Sequence, residues 1–200
     1  MSAELARLAR VRAGTLELVA GMSQGDLDRR PAGGGWSVGE ILDHLEKAEA
    51  ANRGEIAELI ALARAGREPF LYRGLTPAGP SPAFLPPALL PWLSLPLTLA
   101  TLCLPDAARE LLIRRRLVPA RAADALQPRP GRPAGELRAG LAASLAETRS
   151  LLAANADLDF RRMVLLHPLF GAADALGIVA LTAAHEERHQ EQIRATAAAL

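Results

Sequence analysis

The chain has 200 residues, half of them apolar, enough for one compact domain with a real core. Its formal net charge of +1 gives no global electrostatic case for nucleic acid or an anionic membrane. All but Lys47 of the 23 basic residues are arginine, a bias that goes with the wealth of Ala, Gly, Pro and Leu and not with phosphate binding; the one cysteine, Cys103, excludes an intrachain disulfide framework and suits a reducing cytoplasm.

Taken in order, residues 2–22 read as an amphipathic helix with Leu5, Leu8, Val11, Leu16 and Val19 on a broad apolar side. Its charges recur at helical spacing and no apolar stretch of a signal peptide precedes them. MSQGDLDRRPAGGG breaks the helix with Gly25, Pro31 and three successive glycines. A second helix opens at SVGE, where Ser37 as N-cap and Glu40 three residues on form a capping box, and it stops near Gly66. Residues 67–131 are proline-rich and irregular apart from a short helix at DAARELLIRRRL. A third long helix starts near Pro133, which suits the first helical position. DLDFRRMVLLHPLFG is a connection, and a fourth helix covers roughly 172–198. No strand alternation is evident. These elements predict one all-α domain over residues 1–200, a four-helix bundle with a long proline-rich crossover between its second and third helices.

From Gly74 to Pro105 no residue is charged, and AFLPPALLPWLSLPLTLATLCLP is strongly apolar. A spanning helix needs roughly 20 uninterrupted residues. Here Pro86, Pro87, Pro91 and Pro96 each remove an amide donor. The pattern argues against a transmembrane span and for short helical turns that cap an apolar cavity.

Only four histidines are present: His44, His167, His185 and His189. HEERHQEQI, residues 185–193, contains H-E-x-x-H, the arrangement in which two helical histidines bind zinc and the glutamate acts as general base. Positions four apart differ by ~40° around a helix, so His185 and His189 project side by side, on a stripe shared with Ile178, Leu181, Ile193 and Thr196. A metal ion satisfies two neutral imidazoles on a core stripe at once, where the bland alternative is a pair of solvated or hydrogen-bonded rings. His44 lies between Ile41, Leu45 and Ala48, again on the inward side; alone it reads as a core histidine, but facing helices can bring it opposite the pair. Three nitrogens would then leave coordination positions for water or substrate. A protease of the H-E-x-x-H type takes its third ligand from downstream. After His189 only eleven residues remain, and Glu191 and Gln192 are too close in the same helix to serve. The third ligand must come from upstream. Glu186, ~100° around from His185, is expected at the edge or surface without a general-base role.

LDRRPAGGGWSVGEILDHLEKAE and HPLFGAADALGIVALTAAHEERHQEQI resemble the second-helix and closing motifs of the DinB-like (YfiT-like) family of metal-dependent enzymes. The resemblance covers roughly residues 5–66 and 133–199, and the proline-rich middle matches only in character. It implies a four-helix bundle with a three-histidine site, carried over by position to His44, His185 and His189. Relatives of this family include transferases that use low-molecular-weight thiols and a thiol-dependent isomerase. The preferred reading is a metal ion that activates a thiol, as in a transferase, or water, as in a hydrolase, against a small apolar electrophile held under the proline-rich cap. The metal is left open among Zn, Ni, Fe and Mn. The competing reading is a non-catalytic module that carries an apolar ligand beside a structural or vestigial metal. No nucleic acid and no membrane span are expected, the location is cytoplasmic, and a homodimer is left open.

Other residues have two readings each. His167 could reach the mouth of the site or serve as a turn residue. Trp36 could wall the pocket or pack the start of its helix. Gln192 could orient a ligand, or lie on the helix surface. Glu49 and Arg188 could bind polar substrate groups or be exposed. Arginines 114–116 could hold carboxylates of a thiol cofactor or form a solvated face. Cys103, in apolar surroundings, is not expected to be a nucleophile.

Overall fold

The computed structural model describes residues 2–79, 81–82, 86–102, 105–114 and 120–198. Helix α1 spans Ala3–Leu18; Ser2 accepts a hydrogen bond from the amide of Leu5, and Leu5, Leu8, Arg12 and Thr15 are its buried residues. Its spacing of three and four makes one inward stripe, and two of the four positions are polar. A short helix not expected from the sequence, α2 (Gln24–Asp28), follows with its own capping box from Ser23 and Asp26, and it buries Leu27. Helix α3 (Val38–Arg64) begins with the expected Ser37–Glu40 box and ends where Gly66 adopts φ +68°, a left-handed conformation that costs glycine nothing.

Helix α6 (Ala134–Ala153) has Pro133 as its N-cap, one position before the place expected for it. Helix α7 covers Ala175–Ala198. It packs along α1 and α3, α3 also packs along α6, and α6 along α1, closing the four long helices into a ring. Two apolar clusters fill it. One holds Leu8, Ile56, Leu59, Met163, Ile178 and Val179; the other holds Leu27, Ile41, Leu42, Leu137, Leu141 and Ile193.

The absence of strands expected from the sequence is corrected by a small sheet. Strands β1 (Phe70–Tyr72), β4 (Val164–His167) and β5 (Gly171–Asp174) are ordered β1-β4-β5, with β1 parallel to β4 and β4 antiparallel to β5. Three or four residues per strand are too few for alternation to register in the sequence. The hairpin turns at Gly171, φ +68°. It takes the first residues of the expected fourth helix, which is why α7 starts at Ala175. Strands β2 (Ser81–Pro82) and β3 (Ala120–Arg121) pair antiparallel within the crossover.

The crossover also carries α4 (Leu90–Thr101) and α5 (Asp106–Arg114). Helix α4 runs through Pro96, more regular than the short turns expected there. Its hydroxyls turn inward: Ser94 donates to the carbonyl of Leu90 at 3.0 Å and accepts from the amide of Leu75 at 2.8 Å. Thr101 donates to Pro168 at 3.0 Å, so the helix is fastened to the β1 loop and to the hairpin. Helix α5 is held to the bundle by Arg7, which pairs with Glu110 at 2.7 Å and Glu187 at 3.1 Å. Among the described residues no helix is long and apolar enough to cross a membrane.

Candidate metal centre

His44 sits two turns into α3, and His185 and His189 sit one turn apart on α7. The packing of α3 against α7 brings all three together. The Nε2 atoms of His44 and His185 are 3.4 Å apart, those of His185 and His189 3.2 Å, and one nitrogen from each ring lies within 4.8 Å of the others.

The outer nitrogens explain why the inner ones converge. Nδ1 of His44 lies 2.8 Å from the Leu126 carbonyl, and Nδ1 of His189 lies 2.9 Å from Oε1 of Gln192. Both partners are oxygen acceptors, so each Nδ1 carries the hydrogen and each Nε2 keeps its lone pair. Burial keeps the rings neutral. His185 is pushed down to about 3 by desolvation, with His44 and Arg188 adding to it. His189 and His44 are also lowered, desolvation again first. With His185 also presenting its Nε2 lone pair, the three neutral rings would repel unless something positive lay between them; with a hydrogen there it would donate to one neighbour instead. Two metal–nitrogen bonds of about 2.1 Å at a tetrahedral angle place their nitrogens about 3.4 Å apart, so the spacing fits one divalent ion.

The return of the crossover reaches the histidines. Asp43, fully buried next to His44, accepts from the amide of Arg129 at 2.8 Å and from Arg132 at 2.8 Å, and pairs with Lys47 at 2.6 Å. Lys47 donates to the Gln127 carbonyl at 2.7 Å. These contacts sew residues 127–132 along α3 and set the Leu126 carbonyl against His44. Trp36 closes another flank: its ring centroid is 4.8 Å from that of His44 and 6.3 Å from that of His189, nearly parallel to the latter. It also packs against the apolar cluster below, as expected of a residue at the start of its helix.

Two expectations are overturned. Glu186 is not at the surface; it is 1 % exposed. Helix α7 contacts α1 as well as α3, so a turn of ~100° from His185 leads into a second interface instead of solvent. There Arg12 grips Glu186 with two bonds, Nε to Oε1 at 2.9 Å and Nη2 to Oε2 at 2.8 Å, and Thr15 donates to Oε1 at 2.6 Å. Glu49 is likewise 2 % exposed, paired with Arg12 at 2.8 Å and accepting from Thr148 at 2.8 Å, and so is no substrate contact at the surface. Gln192 makes the ligand-orienting contact weighed for it. Arg188 is half-buried and close enough to depress the imidazoles.

His167 does not join the three. It ends β4, stacks on Phe170 at 4.9 Å and accepts from the amide of Leu169 at 3.1 Å, the contacts of a turn residue. Arg114 is paired with Glu187 at 3.3 Å; residues 115 and 116, and Cys103, lie outside the described residues.

With this geometry in place, comparison with known proteins gives one match. The DinB superfamily model covers residues 7–193, nearly the whole chain, and the protein belongs to that superfamily. No curated protein and no solved structure matches it.

Proposed function

We propose that the protein is a metal-dependent enzyme in which His44, His185 and His189 hold one divalent ion and a low-molecular-weight thiol is transferred to a small apolar electrophile. The observation that carries the metal is the convergence of three histidine rings, two of which, His44 and His189, are held from outside by acceptors on Nδ1. Imidazole donors suit Zn, Ni and Fe, and Mn fits as well. When bound, such an ion supplies Lewis acidity that favours the deprotonated form of a thiol or water at its remaining positions.

The chain's own groups then have defined tasks. The Leu126 carbonyl and Gln192 hold the Nδ1 protons away from the centre. Trp36 covers the flank formed by His44 and His189 and keeps water from it. Glu186, engaged by Arg12 and Thr15, has no free oxygen directed at the centre and is not the base. The thiol half of the proposal is supported by the resemblance to thiol-using relatives, and a cytoplasmic setting by the single cysteine.

Metal analysis of protein purified without chelator or nickel resin, followed by a thiol-conjugation screen, tests both halves. We expect about one divalent ion per chain, metal-dependent thiol consumption, and loss of both in His185→Ala. Protein that neither retains nor takes up a divalent ion would remove the metal; a loaded protein that consumes no thiol with any electrophile would remove the transferase chemistry.

A further inference from the structure

We infer that the buried cluster of Arg12, Glu49 and Glu186 has one negative charge in excess, and that its counterion is the divalent ion held by His44, His185 and His189. This deepens the metal reading above and rests on it.

The guanidinium of Arg12 touches all three other helices of the bundle: Glu186 on α7, Glu49 on α3, and the Leu141 carbonyl on α6. The three charged side chains are each 2 % exposed or less. One cation therefore faces two carboxylates where water cannot screen them. Each carboxylate oxygen accepts a hydrogen bond: Glu186 from Arg12 on both oxygens and from Thr15 on one, Glu49 from Arg12 on Oε2 and from Thr148 on Oε1. Gln190 donates to the Thr15 oxygen at 3.0 Å, and the single Thr15 hydrogen has the Val11 carbonyl at 3.2 Å and, nearer, Glu186 at 2.6 Å as acceptors. Donors on every oxygen are the setting of two ionised carboxylates.

Four neighbouring cations, Arg53, Lys47, Arg129 and Arg132, are paired with other carboxylates. Arg53, next along α3, pairs with Glu147 at 2.5 Å and donates to Ser144 and Thr148. Lys47, Arg129 and Arg132 gather on Asp43 and Glu46, three cations on two carboxylates, and at 24 %, 68 % and 18 % exposed they are screened by water as the Arg12 cluster is not. Arg188 lies on the side of the imidazoles and has contacts of its own.

The excess charge sits on the two helices that carry the histidines. Glu186 is the chain neighbour of His185 and lies one turn from His189, where residues three apart are about 5–6 Å apart at Cβ. Glu49 is five residues beyond His44 on α3. A unit charge on the order of 10 Å from a divalent ion, at the effective dielectric of a protein site, changes its affinity by about tenfold or more. Glu49 and Glu186 are thus positioning residues that act through charge, without touching the ion.

The test compares wild type, Glu49→Gln and Glu49→Asp, each stripped with chelator. Zinc affinity is measured by competition with a chromophoric chelator, and thermal midpoints are taken with and without zinc. Glu49→Gln keeps the shape and leaves Arg12 and Glu186 a neutral pair. We expect it to bind zinc about tenfold more weakly while the metal-free protein melts no lower than wild type, and Glu49→Asp to restore the affinity. Unchanged zinc affinity in Glu49→Gln would overturn the inference, as would equal loss of midpoint with and without metal, the mark of a purely structural role or of a proton on Glu49. Should Glu49→Gln not fold, Glu186→Gln removes the same charge from the other arm and must weaken zinc similarly. Failure of wild type to bind zinc at all would instead count against the metal site itself.

Discussion

The bundle interior and helix α4 both bury polar groups but treat large apolar side chains differently. Inside the bundle, Arg12, Glu49 and Glu186 are buried with complete sets of partners. On α4, Ser94 and Thr98 are buried while Trp92, Leu95 and Leu99 are 82 %, 65 % and 63 % exposed. The difference shows that hydrogen-bond supply, not hydropathy alone, decides what goes inside. Four close helices can surround a guanidinium with acceptors. Helix α4 runs through Pro96 and docks through Leu90 and through hydroxyls that bond its own carbonyls, the Leu75 amide and the hairpin, leaving Trp92, Leu95 and Leu99 outward.

The largest expected effect that would break this contrast is at Arg12. Arg12→Met leaves two buried carboxylates without their cation and should cost about 3–5 kcal/mol in urea denaturation. A cost below about 1 kcal/mol would mean that the cluster is solvated or neutral. Leu42, fully buried among Leu27, Ile41 and Leu137, comes next: Leu42→Ala should cost about 2–5 kcal/mol on the same assay.

A pH series sharpens the picture at the sheet. Burial pushes His167 down to about 4 in the folded chain, against 6.5 for the free group. Between these values the unfolded chain takes up a proton that the folded one refuses. Stability therefore falls as pH drops from 6.5 towards 4, by up to about 1.4 kcal/mol per unit for this residue, with no effect above 6.5. His167→Asn can accept the Leu169 amide without titrating, so its denaturation midpoint should depend less on pH over that window. Parallel profiles for the two proteins would show that His167 is solvated. The smallest effect belongs to α4: Leu99→Ala should stay within about 0.5 kcal/mol, and a loss as large as that of Leu42→Ala would show that the outer face is covered.

Much of the site was legible because its signals are local. Two histidines four apart on a core stripe, the Ser37–Glu40 cap that starts α3, and the inward register of His44 all follow from helical spacing. Glu186 was misplaced because the angle from His185 is local but the neighbour it meets, Arg12, is 174 residues away. A cue existed in α1, whose buried positions 5, 8, 12 and 15 include Arg12 and Thr15, whereas a purely apolar stripe drew attention to Val11 and Leu16. The Leu126 contact had no such cue, since any residue supplies a carbonyl. The strands were too short to declare themselves, and the regularity of α4 despite Pro96 depends on tertiary partners for Ser94 and Thr101.

X-ray absorption at the zinc edge of the zinc-loaded protein tests the central claim most directly. The account predicts three imidazole nitrogens at about 2.0–2.1 Å with a non-imidazole oxygen neighbour beside them, falling to two imidazoles in His44→Ala. A wild-type spectrum with two imidazoles or fewer, or one that His44→Ala leaves unchanged, would contradict it.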